Sequence, residues 1–257
     1  APAAGEGAAQ AASQAAAPSG ADVVAGSGMD SWLTALQPQI ALGAGQGMPP
    51  QVAEAAAAAF EPTALIARAA QEMEAGLAPE DRRAAIDFYE SPLGVRVLAA
   101  ERAAAGPEAQ MEVMRNAQGL LAQLEGAPER KAVYERIIAH TNLNEISRAG
   151  VRAIAISTLD GALTAQQGGV RPERAQILQL LEQQLAPAMA AMEPLNLAAF
   201  AQAYREVSVE DLTAYAAWTE TPEGERFYAA SLATLLLVLE DAAEDFGARV
   251  AVETKEL

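Results

Sequence analysis

Cysteine is missing from all 257 residues, and histidine occurs once, at position 140. The first absence excludes disulfides, thiol nucleophiles and thiolate zinc sites. It also leaves the redox compartment open, because a chain without thiols tolerates oxidising and reducing surroundings alike. The second absence leaves His140 without a second imidazole to share a metal. On a continuous helix its neighbour four residues back is the cation Arg136, and Glu135 and Glu145 lie off the spacing that shares a helix face. His140 is therefore read as a helix-end residue rather than a ligand.

Long hydrophobic runs are lacking too. The longest, Ala229 to Leu239, falls short of the ~20 residues that a bilayer crossing needs. It is expected to be a core helix buried nearly all round. Val, Ile, Tyr and Phe are scarce, and few segments alternate with period two. Ala, Leu, Glu and Gln dominate instead, and these lose little conformational freedom in a helix. The fold class that follows is all-α.

Positive charge is the third scarcity. Seventeen Lys and Arg face 34 Asp and Glu, a formal net charge of −17. No basic stripe is present to collect counterions, so nucleic acid and anionic headgroups are poor partners. A basic protein patch or a cation is electrostatically easier. The chain opens on Ala1-Pro2-Ala3-Ala4-Gly5-Glu6, which resembles the small-residue tail left after removal of a signal peptide. The expected location is the periplasm. Position 1 is not the Cys that a lipoprotein anchor requires.

What the chain does have is a corner that occurs twice. Phe88-Tyr89-Glu90-Ser91-Pro92-Leu93-Gly94-Val95-Arg96 returns, 130 residues later and without a gap, as Trp218-Thr219-Glu220-Thr221-Pro222-Glu223-Gly224-Glu225-Arg226. Such a recurrence marks a duplicated structural unit. The expectation is about ten helices in two related halves: a disordered Ala/Gly/Ser-rich tail over 1–28, a first half over 29–167, and a second over 170–257 packed on it. Breaks are expected at Gly45 to Pro50 and at Gly168-Gly169. Pro187 and Pro194 are expected to kink or split a long helix.

Each corner has a physical reading. A residue before proline is pushed out of the α region, and an N-cap needs that same non-helical backbone. Ser91 and Thr221 meet both demands. Pro92 and Pro222 then occupy the first helical position, where a missing N–H costs nothing. The Ser91 and Thr221 hydroxyls can accept from the N–H of Gly94 and Gly224. Gly inside a helix costs about 1 kcal/mol against Ala, so finding it twice predicts a neighbour packed too close for a Cβ. Phe88 and Trp218 should form an inner wall. Glu90 with Arg96, and Glu220 with Arg226, are expected to pair across the turn. Ser208-Val209-Glu210-Asp211 begins the second corner as a variant capping box.

The run Phe88 to Gly94 resembles the hallmark of a family of exported bacterial helical proteins known only as a domain of unknown function. In that family the corner also follows a Ser/Thr-x-Glu-Glu/Asp-Leu helix start. Ser208 to Leu212 matches that start better than Ala78 to Arg82 does. The second corner departs from the pattern at Trp218-Thr219 and Thr221. The resemblance covers about a third of the chain. It implies an all-helical, periplasmic protein and brings no catalytic residue with it.

Catalytic constellations are not evident. Ser91 has no His or Lys pattern beside it, and capping already explains it. With so many carboxylates any glycosidase-like spacing arises by chance. No Gly-rich phosphate loop is present, and neither a cofactor nor a metal is expected. The leading expectation is a non-enzymatic envelope protein that binds a protein partner, as an accessory subunit of a membrane-bound assembly. The alternative is a carrier of an apolar small molecule, a lipid or quinone, enclosed by helices around Leu232 to Leu239. A carboxylate hydrolase is a third.

Overall fold

The computed structural model describes residues 17–44, 50–152, 155 and 174–253. Among the described residues the named helices are α1 (Gly20–Gly26), α2 (Met29–Ala44), α3 (Pro50–Ala59), α4 (Pro62–Gly76), α5 (Pro79–Glu90), α6 (Pro92–Ala104), α7 (Pro107–Glu125), α8 (Pro128–His140), α9 (Arg174–Ala203), α10 (Val209–Thr219) and α11 (Pro222–Glu253). Residues 143–152 are helical as well. No strand occurs among the described residues, and the fold is all-α.

Proline sets most of the boundaries. Seven helices, α3 to α8 and α11, begin on one, where its fixed φ suits a helix and its missing N–H is not needed. The residues in front of it are driven out of the α region: Glu61, Ala78, Ser91 and Gly106 are all extended.

The expected tail over 1–28 is corrected from residue 19 onward. Ser19 and Asp22 form a capping box, and α1 packs on α4 and α5. Val23 and Val24 are in the core, at 0% and 1% exposure. These two valines supply the apolar surface that offsets ordering this short segment. Arg82, itself buried, donates from Nε to Pro18 O at 2.6 Å and ties the approach to α1 in place.

Pro187 and Pro194 both lie within α9 and neither splits it. Both are exposed, so water can satisfy the carbonyls their rings leave unpaired. The run Ala229 to Leu239 is not buried all round either. Leu235, Val238 and Leu239 are buried, whereas Ala233 and Leu237 are exposed. The helix therefore follows the usual one-sided pattern. Breaks expected between residues 45 and 49 and at Gly168-Gly169 lie outside the described residues.

One hydrophobic core joins the two expected halves. α11 packs against α3, α4 and α5, α10 against α8 and α6, and α9 against α6, α7 and α8. Fully buried Phe60, Tyr134, Tyr204, Tyr215 and Phe227 fill the space between them.

Candidate functional site

The two corners have the same local geometry. Ser91 is extended, and its Oγ accepts from Gly94 N–H at 3.0 Å. Thr221 Oγ1 accepts from Gly224 N–H at 3.0 Å. Pro92 and Pro222 each open the outgoing helix. A Cβ on Gly94 would lie 2.0 Å from Phe88 O, and one on Gly224 would lie 2.2 Å from Trp218 O. The incoming helix thus folds back on the outgoing one with backbone against backbone. The order of buried and exposed positions over 91–100 repeats without change over 221–230.

The corners meet each other. Phe88 stacks on Trp218 with ring centroids 3.8 Å apart and planes 8° apart. The expected pairing of each Glu with the Arg of its own corner is corrected. Glu90 is exposed, and Glu220 takes Arg136 at 2.8 Å, with His140 Nε2 at 3.8 Å. Arg96 crosses instead to Asp211 with two bonds of 3.0 and 2.7 Å. Arg226 crosses to Asp81 with two of 2.8 Å. Both are two-pronged Arg–carboxylate contacts. Each arginine is used by the helix start of the opposite corner, since the two corners pack face to face.

Behind the corners the helices line an open-mouthed cavity of ≈ 540 Å³. Its walls are mostly apolar, with Trp32 from α2, Leu98 from α6, Val113 from α7, Ile146, Phe200 from α9 and Leu235 from α11. Met114 also lines it and is 72% exposed, so the cavity reaches the surface at α7. At that place α7 is bent, with Asn116 outside helical backbone geometry.

A polar wall stands against this apolar lining. Glu101 lies on α6 three residues after Leu98 and four after Val97, so it shares their inward stripe. Its Oε1 accepts from Tyr204 at 2.5 Å and from Tyr215 at 3.3 Å. Tyr215 is bonded in turn to Tyr228 at 2.8 Å, and Tyr228 to Tyr89 at 3.2 Å. Arg130 fixes one end by donating to the Tyr204 and Val207 carbonyls at 3.0 and 2.9 Å. Four of the five tyrosines thus converge on one carboxyl: Tyr89, Tyr228 and Tyr215, from α5, α11 and α10, as a chain of hydroxyls, and Tyr204, just after α9, from the other side.

Burial dominates the electrostatics. It raises the Glu101 carboxyl from 4.5 to about 7, against the hydroxyls of Tyr204 and Tyr215 and the charge of Arg102, which oppose the rise. Burial likewise pushes Tyr89, Tyr204, Tyr215 and Tyr228 well above 10. The tyrosines are therefore neutral at all ordinary pH, and Glu101 changes charge near neutrality. Among the described residues no donor reaches Glu101 Oε2. Ser27 and Ser231 also line the cavity, and their buried Oγ atoms have no partner. The arrangement offers a mostly apolar chamber with one uncommitted acid oxygen and two uncommitted hydroxyls.

No group of three or more His, Asp or Glu side chains that could hold a metal ion occurs among the described residues. No described helix is long and apolar enough to cross a membrane.

Only Tyr89 of this wall stands in the repeated motif. Glu101 escaped notice because carboxylates are so frequent in the chain; its one signal was its place on an apolar helix stripe.

Residues 64–125 match a family described as an uncharacterized protein conserved in bacteria (DUF2059). The match takes in the first corner, Tyr89 and Glu101, about a quarter of the chain. It stops short of the second corner. No curated protein and no solved structure matches the chain.

Proposed function

We propose that this protein is a non-enzymatic binding protein of the periplasm, exported with removal of a signal peptide, whose central cavity holds an apolar small molecule. The observation that carries the reading is the ≈ 540 Å³ chamber itself, apolar on most sides and reaching the surface at Met114. Its size falls in the range of sites that enclose most of a small ligand, and its few convergent polar groups are of the kind that orient one. Of the three functional readings of the sequence, the carrier of a lipid- or quinone-like molecule is the best supported.

Two copies of the Phe-Tyr-x-Ser-Pro-x-Gly corner, made by duplication, account for why the chamber forms where it does. Arg226 follows Arg96 by 130 residues and Asp211 follows Asp81 by the same interval, and the reciprocal crossing of their ion pairs supports that reading. The outgoing helix of one corner supplies Glu101 and that of the other supplies Tyr228.

Native mass spectrometry of protein purified from its own host tests the proposal, together with uptake of a fluorescent lipid and a quinone. A bound apolar adduct, or saturable uptake that Leu98→Trp blocks, is expected. An adduct-free spectrum with no uptake would remove the reading.

Docking on a protein partner remains the second reading. It rests on Met111 and Met114, which are 54% and 72% exposed on the helix beside the cavity mouth. Adaptable thioether side chains suit such contacts. Cross-linking in intact cells from a residue beside Met111 would return one dominant partner if it holds.

A further inference from the structure

We propose that the molecule held in this cavity is an apolar amine, its ammonium group seated on Glu101 Oε2. The inference rests on the reading of the cavity as a binding site and goes on to name the chemistry of the ligand's polar end.

The groups facing the chamber decide between polar ends. Glu101 lines the cavity, spends Oε1 on Tyr204 and Tyr215, and takes no donor at Oε2 from the described residues. The Ser231 Oγ is buried, the residue being 6% exposed, and has no partner. Buried polar atoms are nearly always satisfied, so the orphaned Ser231 hydroxyl, on the same cavity as the half-buried Glu101 carboxyl, marks a polar end of the site open to a ligand. An ammonium group brings three N–H donors and a positive charge to such an acceptor, where an alcohol brings one O–H and no charge.

Charge points the same way. The titratable and charged groups around Glu101 are Tyr204 just after α9, Tyr215 on α10, Tyr228 on α11, Tyr89 on α5 and Arg102 on α6. The four tyrosines are neutral. Arg102 is exposed and donates its Nη2 to Ala25 O at 3.1 Å. No cation is therefore committed to Glu101, and a carboxylate in an apolar setting is costly without one. A fatty-acid head would meet like charge there. Aromatic rings of Trp32 and Phe200 line the same chamber and attract cations by their faces. The net charge of −17 draws cations towards the protein as a whole.

The test uses three probes of one chain length, decylamine, decanol and decanoate, titrated against the whole protein by calorimetry between pH 5 and pH 8. Decylamine is expected to bind most tightly and decanoate least. Decylamine affinity should rise on the order of tenfold or more as Glu101 ionises across this range, while decanol stays flat. Glu101→Gln should abolish both the preference and its pH dependence while decanol still binds, which shows the variant folded. The pH titration of the unaltered protein stands on its own should that variant fail to fold. If decanol and decylamine bind alike, or decanoate binds best, the amine assignment is overturned and the apolar cavity reading survives. If none of the three binds, both fall.

Discussion

Phe88 lies flat against Trp218, ring centroids 3.8 Å apart, although the two residues are separated by 130 positions of chain. Each stands in the last turn of the incoming helix of its corner, so the two corners touch through equivalent side chains. Removing Phe88 (F88A) should cost about 3–5 kcal/mol from cavity formation alone. In a double-mutant cycle with Trp218→Ala we expect a coupling of about 1 kcal/mol beyond simple addition. Strict additivity in urea denaturation would mean that the stack is a neighbourhood and not an interaction.

The crossed ion pairs are alike in form and unlike in burial. Asp81 is buried at 4% exposure, whereas the Asp211 side chain is 28% exposed. Arg226→Gln would strand a buried carboxylate and should cost about 1–3 kcal/mol. Arg96→Gln leaves a carboxylate that water can reach and should cost less than about 1 kcal/mol. Chemical denaturation of both variants checks the order, and equal losses would contradict it.

Gly94 and Gly224 are required by contact and not by backbone conformation. An alanine methyl at either would press into the backbone of the preceding helix. We expect Gly94→Ala and Gly224→Ala each to lose about 2–4 kcal/mol. Gly76 has nothing within 4 Å of its would-be methyl, so Gly76→Ala should be neutral or stabilise by up to about 1 kcal/mol. Thermal melts of the three variants separate crowding from helix propensity.

Glu101 makes stability depend on pH. Its carboxyl titrates at about 7 in the folded protein against 4.5 ordinarily, so the folded state holds its proton more tightly. The stabilisation this provides is complete below pH ~4.5 and lost as pH rises through ~7, amounting to no more than about 3 kcal/mol. Melting temperature without ligand should therefore fall between pH 5.5 and pH 8. Glu101→Gln, which stays neutral, should flatten that part of the curve. An unchanged slope in the variant would assign the dependence elsewhere.

The first described helix contributes to the core. A chain begun at residue 29 loses the buried Val23 and Val24 and should be at least about 3 kcal/mol less stable than one begun at residue 17. Equal denaturation midpoints would show that α1 is dispensable.

Helix class and most helix starts were legible because proline acts locally. Pro50, Pro62, Pro79, Pro92, Pro107, Pro128 and Pro222 each constrain only themselves and the residue before them. The caps at Ser91, Thr221 and Ser208 were readable for the same reason. The N-terminal helix was not. Val23 and Val24 are two apolar residues in a run of Ala, Gly and Ser, and their worth lies in the groove that α4 and α5 offer them. Nor were the ion partners: Glu90 and Arg96 are near in sequence, but Asp211 was the carboxylate brought within 3 Å.

By itself, then, the order of residues determined that this protein is helical, where its helices turn, and that one turn is made twice. Those features depend on backbone sterics and on hydrogen bonds three or four residues long. Tertiary structure alone decided which arginine meets which aspartate, and that Glu101 and four tyrosines from separate parts of the chain share the wall of one cavity. Such convergence is a property of packing, in which residues up to 173 positions apart come within hydrogen-bonding reach, and no local rule encodes it.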